Sequence, residues 1–202
     1  MSLTLAELVA FNTVLLAALL SPGAAMLFIT KATVTGGRAA GIATGLGLGT
    51  AAAMWTLAAL LGLEAVFTLF PWTYTALKIG GALYLIWIAI QTWRHARDPL
   101  GEAPTPRGRA VLSGMILNFG NPKSMLFAAA VIVVVFPQGL APADIAVIVL
   151  NHWLLELIFY SGLALALSTP HVRRGYVSLK PVLDRIAATL LGALGLRLIL
   201  EK

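Results

Sequence analysis

The chain has 202 residues, 59% of them hydrophobic and only 11% charged, with a mean hydropathy of +0.92. Soluble domains carry about 25% charged residues, so this inventory cannot clothe a water-exposed surface and excludes a soluble enzyme. Cysteine is absent, which removes thiol redox transfer, thiolate metal ligation and disulfides. The net charge of +6 is read as a topology signal and not as a sign of a nucleic-acid partner, because membrane proteins carry basic loops on the cytoplasmic side.

In chain order, segments 8–30 and 39–63 hold no charged residue, and 72–93 holds only Lys78 near its start. Each is long enough to span a bilayer as a helix. The first Lys or Arg is Lys31, so the opening apolar run lacks the positive flank of a signal peptide and is expected to stay in the protein. Segment 94–109 is rich in proline and charge and reads as a solvated loop. Segment 110–143 then carries one charge, Lys123, and 145–168 carries one, Glu156. A loop is expected over 169–181 and a last helix over 182–200. The charge-free part of that helix, 186–196, covers only about 16 Å, so an interfacial helix after five spans is the alternative to a sixth span.

With six spans, the loops after helices 1, 3 and 5 hold Lys31, Arg38, Arg94, Arg97, Arg107, Arg109, Arg173, Arg174, Lys180 and Arg185. The other side holds Lys78, Arg197 and Lys202. Ten against three places those loops in the cytoplasm and both termini outside. The expected fold is therefore all-α, a polytopic membrane bundle of six transmembrane helices forming one domain over 1–202. Its halves, 1–93 and 110–202, are joined by the cytoplasmic loop 94–109. Three helices per half make a duplicated half insert upside down, as a 3+3 inverted repeat. Ser21-Pro22-Gly23-Ala24-Ala25-Met26-Leu27-Phe28 and Asn121-Pro122-Lys123-Ser124-Met125-Leu126-Phe127 support this, each with a capping residue, a proline and Met-Leu-Phe.

A proline inside a membrane helix removes a donor and frees a carbonyl. Because Ser21 and Asn121 are good N-caps, Pro22 and Pro122 each read as the start of a half-helix, with an ordinary kink as the alternative. Broken helices 1 and 4 would turn N–H groups of residues 23–25 and 123–125 towards a carboxylate. Ser21, Pro22, Gly23, Asn118, Asn121, Pro122 and Lys123 are accordingly the expected substrate-binding residues. A mid-membrane Lys123 costs about 2.5–3.5 kcal/mol and calls for a partner, for which Glu156 is the candidate; otherwise it lies at the headgroups. His152, Glu156 and Tyr160 recur every fourth residue and share one helix face. They are the expected proton-coupling residues, a buried structural carboxyl being the other reading. Asn12 and Asn151 read as interhelical hydrogen-bond residues, and Gly41, Gly45, Gly47 and Gly49 as a close-packing surface with a hinge as the alternative. No zinc, phosphate-loop or nucleophile motif is present, and neither catalytic residues nor a cofactor or metal is expected.

The combination resembles the lysine exporter (LysE/RhtB-type) family of bacterial amino-acid efflux proteins. The residues that carry it are Ser21-Pro22-Gly23, Gly36-Gly37-Arg38 with Gly41, Leu77-Lys78 through Gly80-Gly81-Ala82-Leu83-Tyr84-Leu85, and Asn118 with Asn121-Pro122-Lys123. The resemblance implies export of amino acids or close derivatives in exchange for protons, in a bacterial cytoplasmic membrane. Two positions depart from the family pattern: Ala24 stands where a second proline is usual, and Thr50 lies near where an acid is common in helix 2. Glu156 is then the acid left to carry proton coupling. The expected partners are a small zwitterionic substrate, protons and the lipid bilayer, with a homo-oligomer left open. Against this exporter stand a non-transporting membrane assembly or regulatory subunit and a metal-ion exporter.

Overall fold

The computed structural model describes residues 3–20, 23–70, 72–98, 109–137 and 139–200. These form seven helices: α1 (Leu5–Leu20), α2 (Ala24–Leu69), α3 (Trp72–Arg94), α4 (Ala110–Phe119), α5 (Pro122–Val135), α6 (Pro142–Leu167) and α7 (Pro170–Leu200), with no strand among the described residues. Pro122, Pro142 and Pro170 each open a helix, where a missing N–H costs nothing. α1 starts on a capping box: the Thr4 N–H donates to Glu7 Oε2 at 2.7 Å and the Glu7 N–H to Thr4 Oγ1 at 3.3 Å. α2 is two helical arms joined at Gly37, whose φ of 79° only glycine adopts without strain. The joint falls where the sequence places the turn between helices 1 and 2.

The polarity of α6 is inside out. Its outward stripe is Val147, Leu150, Leu154, Ile158 and Leu165, whereas its buried stripe includes Asp144, His152, Glu156 and Tyr160. That pattern suits a hydrocarbon surrounding and not water. Ala24–Gly62 and Pro142–Leu167 are each long and apolar enough to cross a bilayer. Ala110–Phe119 and Lys123–Ile132, bent by 70° at the intervening break, pass the same test as a pair.

Glycines set the helix spacing. Gly41, Gly45 and Gly49, four residues apart, lie against Ala164, Tyr160 and Glu156 in turn, so α2 and α6 run antiparallel in a fixed register. Gly47 meets the Val111 backbone, and Gly114 the Thr44 backbone, which clamps α4 to α2. These contacts are the close packing expected of the glycine run. Asn12 on α1 and Asn151 on α6 exchange two amide hydrogen bonds, at 3.2 and 2.6 Å, as expected of an interhelical pair.

The expected loop over 169–181 is helical instead, as the first part of α7. Pro170 is harmless in the first turn, and Pro181 within the helix is offset by its neighbour. The buried Lys180 ammonium donates to the His95 and Ala96 carbonyls, just past the end of α3, at 3.1 and 3.2 Å, and to Asp184 Oδ2 at 2.8 Å. A cation at a helix C-terminus satisfies carbonyls that have no helical donor. Arg185 lies over the Trp93 ring, 5.7 Å from its centroid, which extends the α3–α7 seam.

Candidate functional site

The helix break before α5 is built from local chemistry. Asn121 has extended dihedrals, and its side-chain oxygen accepts from the Lys123 N–H at 3.1 Å, with Pro122 at the first helical position. The Ser124 and Met125 N–H groups both donate to the Asn121 carbonyl, at 3.1 and 3.3 Å. The N–H groups of 123–125, expected to be open to an anion, are thus already bonded to Asn121. Asn118 differs from expectation as well. It is buried, its amide donates to the Leu48 carbonyl at 2.8 Å, and its oxygen accepts from Ser124 Oγ at 2.6 Å and from the Asn121 amide at 3.4 Å. It ties the break to α2 and does not line the cavity described next.

That cavity, narrow at about 50 Å³, lies where α1, α2, α5 and α6 meet. Gly23, Ala24 and Ala25 line it at the start of α2, Asn121, Lys123 and Ser124 at the start of α5, and His152, Glu156 and Tyr160 along α6; Leu15, Ala18 and Leu19 form an apolar wall from α1. Six of the ten sequence-designated site residues therefore share one cavity. Ser21 and Pro22 lie outside the described residues, as does the side chain of Pro122.

Lys123 Nζ donates to the Ala18 carbonyl at 3.4 Å and would lie 3.6 Å from a Cβ placed on Gly23. The two proline-marked segments thus meet through a glycine and a lysine. The expected Lys123–Glu156 pair is not among the ion pairs of the described residues: Glu156 Oε1 is instead 3.1 Å from His152 Nε2. The reason is reach. Four-residue spacing on α6 brings His152 directly onto Glu156, whereas Lys123 extends from the far wall towards α1.

The His152 ring is held on three sides. Its Nδ1 is 2.7 Å from Thr56 Oγ1, its Nε2 faces Glu156, and Phe11 meets it edge-on at 5.5 Å between centroids. With Glu156 ionised, a neutral ring donates from Nε2 and accepts the Thr56 hydroxyl at Nδ1. Thr56, fully buried in an alanine-rich stretch, was not singled out by the sequence; a lone hydroxyl there was the available signal. Glu156 Oε2 is buried and has no hydrogen-bond partner among the described residues. It packs against Gly49, beside the position where the family pattern has its acid. Thr50 itself donates to the Leu46 carbonyl at 2.8 Å and accepts from Trp153 Nε1 at 3.2 Å. Among the described residues no three His, Asp or Glu side chains converge as metal ligands do.

Apolar helices wrapped round a cavity with a cation on one wall and a carboxyl on another define a helical membrane protein organised about an interior polar site. The LysE type translocator family model matches residues 16–202, and the chain belongs to that family. It is 29% identical over 192 residues to the threonine efflux protein of Salmonella typhimurium, covering 92% of this chain and 93% of that protein. It is 28% identical over 196 residues to the threonine efflux protein of Escherichia coli K12, with the same shares covered. The homoserine/homoserine lactone efflux protein of Salmonella typhimurium is 32% identical over 127 residues, 61% of this chain and 59% of that protein. No solved structure matches.

Proposed function

We propose that the protein is a secondary exporter of amino acids or close derivatives across the bacterial cytoplasmic membrane, exchanging substrate for protons by alternating access. The observation that carries this reading is the convergence of Gly23, Asn121, Lys123, His152, Glu156 and Tyr160 on one cavity. A scaffold subunit has no use for opposite charges at that depth, where each costs insertion energy. The relatives named for threonine and homoserine efflux support small zwitterions as the substrate class.

In this reading the substrate carboxylate lies between the first turn of α2 and the Lys123 ammonium. The first N–H groups of a helix have no intrahelical acceptor, and the helix dipole adds about 1 kcal/mol for an anion there. His152, Glu156 and Tyr160 supply the proton-handling wall. The narrow cavity, against the roughly 300–1,000 Å³ of ordinary ligand pockets, belongs to a contracted stage of the cycle that widens to admit substrate. We place the chain in the membrane as six spans with both termini outside, its broken first and fourth spans related by an inverted repeat. The charge asymmetry and the bent α4–α5 pair support that arrangement.

The deciding experiment is counterflow of a labelled amino-acid panel in proteoliposomes. Accumulation of at least one member, increased by a pH gradient, is the expected result. No exchange with any member, with or without the gradient, overturns the exporter in favour of a scaffold.

A further inference from the structure

The cavity contains an imbalance. Lys123 and Glu156 line one cavity, yet the carboxylate takes His152 as its close partner, and its second oxygen, Oε2, is buried with no hydrogen-bond partner among the described residues. A buried carboxylate oxygen without a donor is costly. Two states of the site relieve that cost: protonation of the carboxyl, or arrival of a cationic donor. The ammonium of an amino acid whose carboxylate lies between Gly23 and Lys123 is such a donor.

We infer that Glu156 is the counter-ion of the substrate's α-ammonium group and carries a proton when substrate is absent, so that zwitterion and proton exclude each other at one carboxyl. The inference rests on the exporter reading and deepens it. Binding then follows a balanced exchange: the neutral carboxyl releases one proton as the ammonium arrives, and the ammonium pairs with the carboxylate left behind. Antiport follows without a separate proton site, because neither ligand is held while the other is bound. The substrate class narrows with it to molecules bearing both a free carboxylate and a free ammonium.

The surroundings agree with this assignment. From α6, His152 sits on Oε1 and Tyr160 lies one turn further along. From α2, Gly49 leaves room beside Oε2, and Thr56 reaches the carboxylate only through His152. α5 contributes Lys123, and the described α1 residues at the cavity, Leu15, Ala18 and Leu19, are apolar. Among the described lining residues, Lys123 is therefore the other charged side chain besides Glu156 and the titratable pair beside it. Among the described residues that line the cavity, Glu156 is the carboxylate available to a substrate ammonium.

The test uses purified full-length protein in detergent. Binding of L-threonine and L-homoserine is measured across pH by calorimetry, and proton release is followed with an indicator in weak buffer. Affinity should fall about tenfold for each pH unit below the titration of the carboxyl, with up to one proton released per substrate bound. N-acetyl-threonine should bind at least 100-fold more weakly, since it brings no cation to Oε2. In Glu156→Gln the pH dependence should vanish. Wild-type binding that ignores pH, equal binding of the N-acetyl compound, or a pH dependence that survives in Glu156→Gln each overturns the inference; the last would place the proton on His152. All three leave an exporter standing. Absence of binding for every amino acid in the panel overturns the exporter and this inference together.

Discussion

The α2–α4 clamp makes a sharp prediction at Gly47. A Cβ there would lie 2.8 Å from the Val111 carbonyl carbon and 2.9 Å from the Met115 nitrogen, and closer still to the Val111 oxygen. All three are backbone atoms, so no side-chain rotation relieves the overlap. To regain ordinary contact, near 3.5–4.0 Å between carbon atoms, the helices must part by about 1 Å. The 2.8 Å bond from Asn118 to the Leu48 carbonyl then stretches past the hydrogen-bond limit. Overpacking costs about 1–3 kcal/mol and an orphaned buried amide about 1–3 kcal/mol, against a gain of about 1 kcal/mol from alanine's helix propensity. Gly47→Ala should therefore lose about 1–5 kcal/mol in detergent-titrated unfolding. Gly162→Ala is the control: nothing lies within 4 Å of its Cβ, and the same exchange should gain about 0.5–1 kcal/mol. If Gly47→Ala proves as stable as Gly162→Ala, the close helix contact that positions Asn118 is not what holds the break.

Further outcomes follow from the cavity. Glu156→Gln should keep counterflow at raised substrate concentration while export no longer responds to a pH gradient; full gradient-driven export in this variant would make the carboxyl structural. Gly23→Ala should be tolerated, since its Cβ would lie 3.6 Å from Lys123 Nζ, while the larger Gly23→Val should displace the ammonium and abolish binding at nearly normal folded yield. Lys123→Met should cost at least tenfold in affinity for threonine while leaving threonine amide unaffected, as binding titrations would show. Thr56→Val removes the hydroxyl on His152 Nδ1, and nitrogen NMR of the ring should report a changed tautomer balance that Thr56→Ser restores. Because the chain has no cysteine, single cysteines read topology directly: Ala141→Cys should react with an impermeant maleimide from outside and Thr35→Cys should not.

What was legible in the sequence was local. The break at Asn121-Pro122 follows from a cap followed by a residue that cannot donate, and the shared face of His152, Glu156 and Tyr160 follows from helical spacing. The Asn12–Asn151 pair was legible because an apolar helix leaves an amide few other options. Less legible was anything set by rotation of one helix against another. Asn118 and Asn121 are three residues apart and equally polar, yet packing at Gly47 and Gly114 turns the first towards the Leu48 carbonyl and leaves the second at the cavity. The same limit hid the direction of Lys123. Segment 169–181 misled for a different reason. Charge and flanking prolines read as loop, but the partners that make a helix worthwhile there, the terminal carbonyls of α3, lie some 85 residues away in sequence.

The two proline-marked segments look alike in sequence, and their chemistry in the structure differs. At the start of α5, Asn121 takes the Lys123, Ser124 and Met125 N–H groups for its own oxygens, so this helix end has little left for a ligand, and its contribution passes to the Lys123 side chain. At the start of α2, Gly23 presents no side chain, and the first turn faces the cavity directly. In the proposed binding mode, a carboxylate there is held by backbone donors of one segment and the long flexible Lys123 side chain of the other. Such a pairing tolerates relative movement of the two segments, because a lysine can follow a ligand through a distance that a second fixed helix end could not. A site that must hold its substrate while helices rearrange around it gains from one rigid wall and one compliant one.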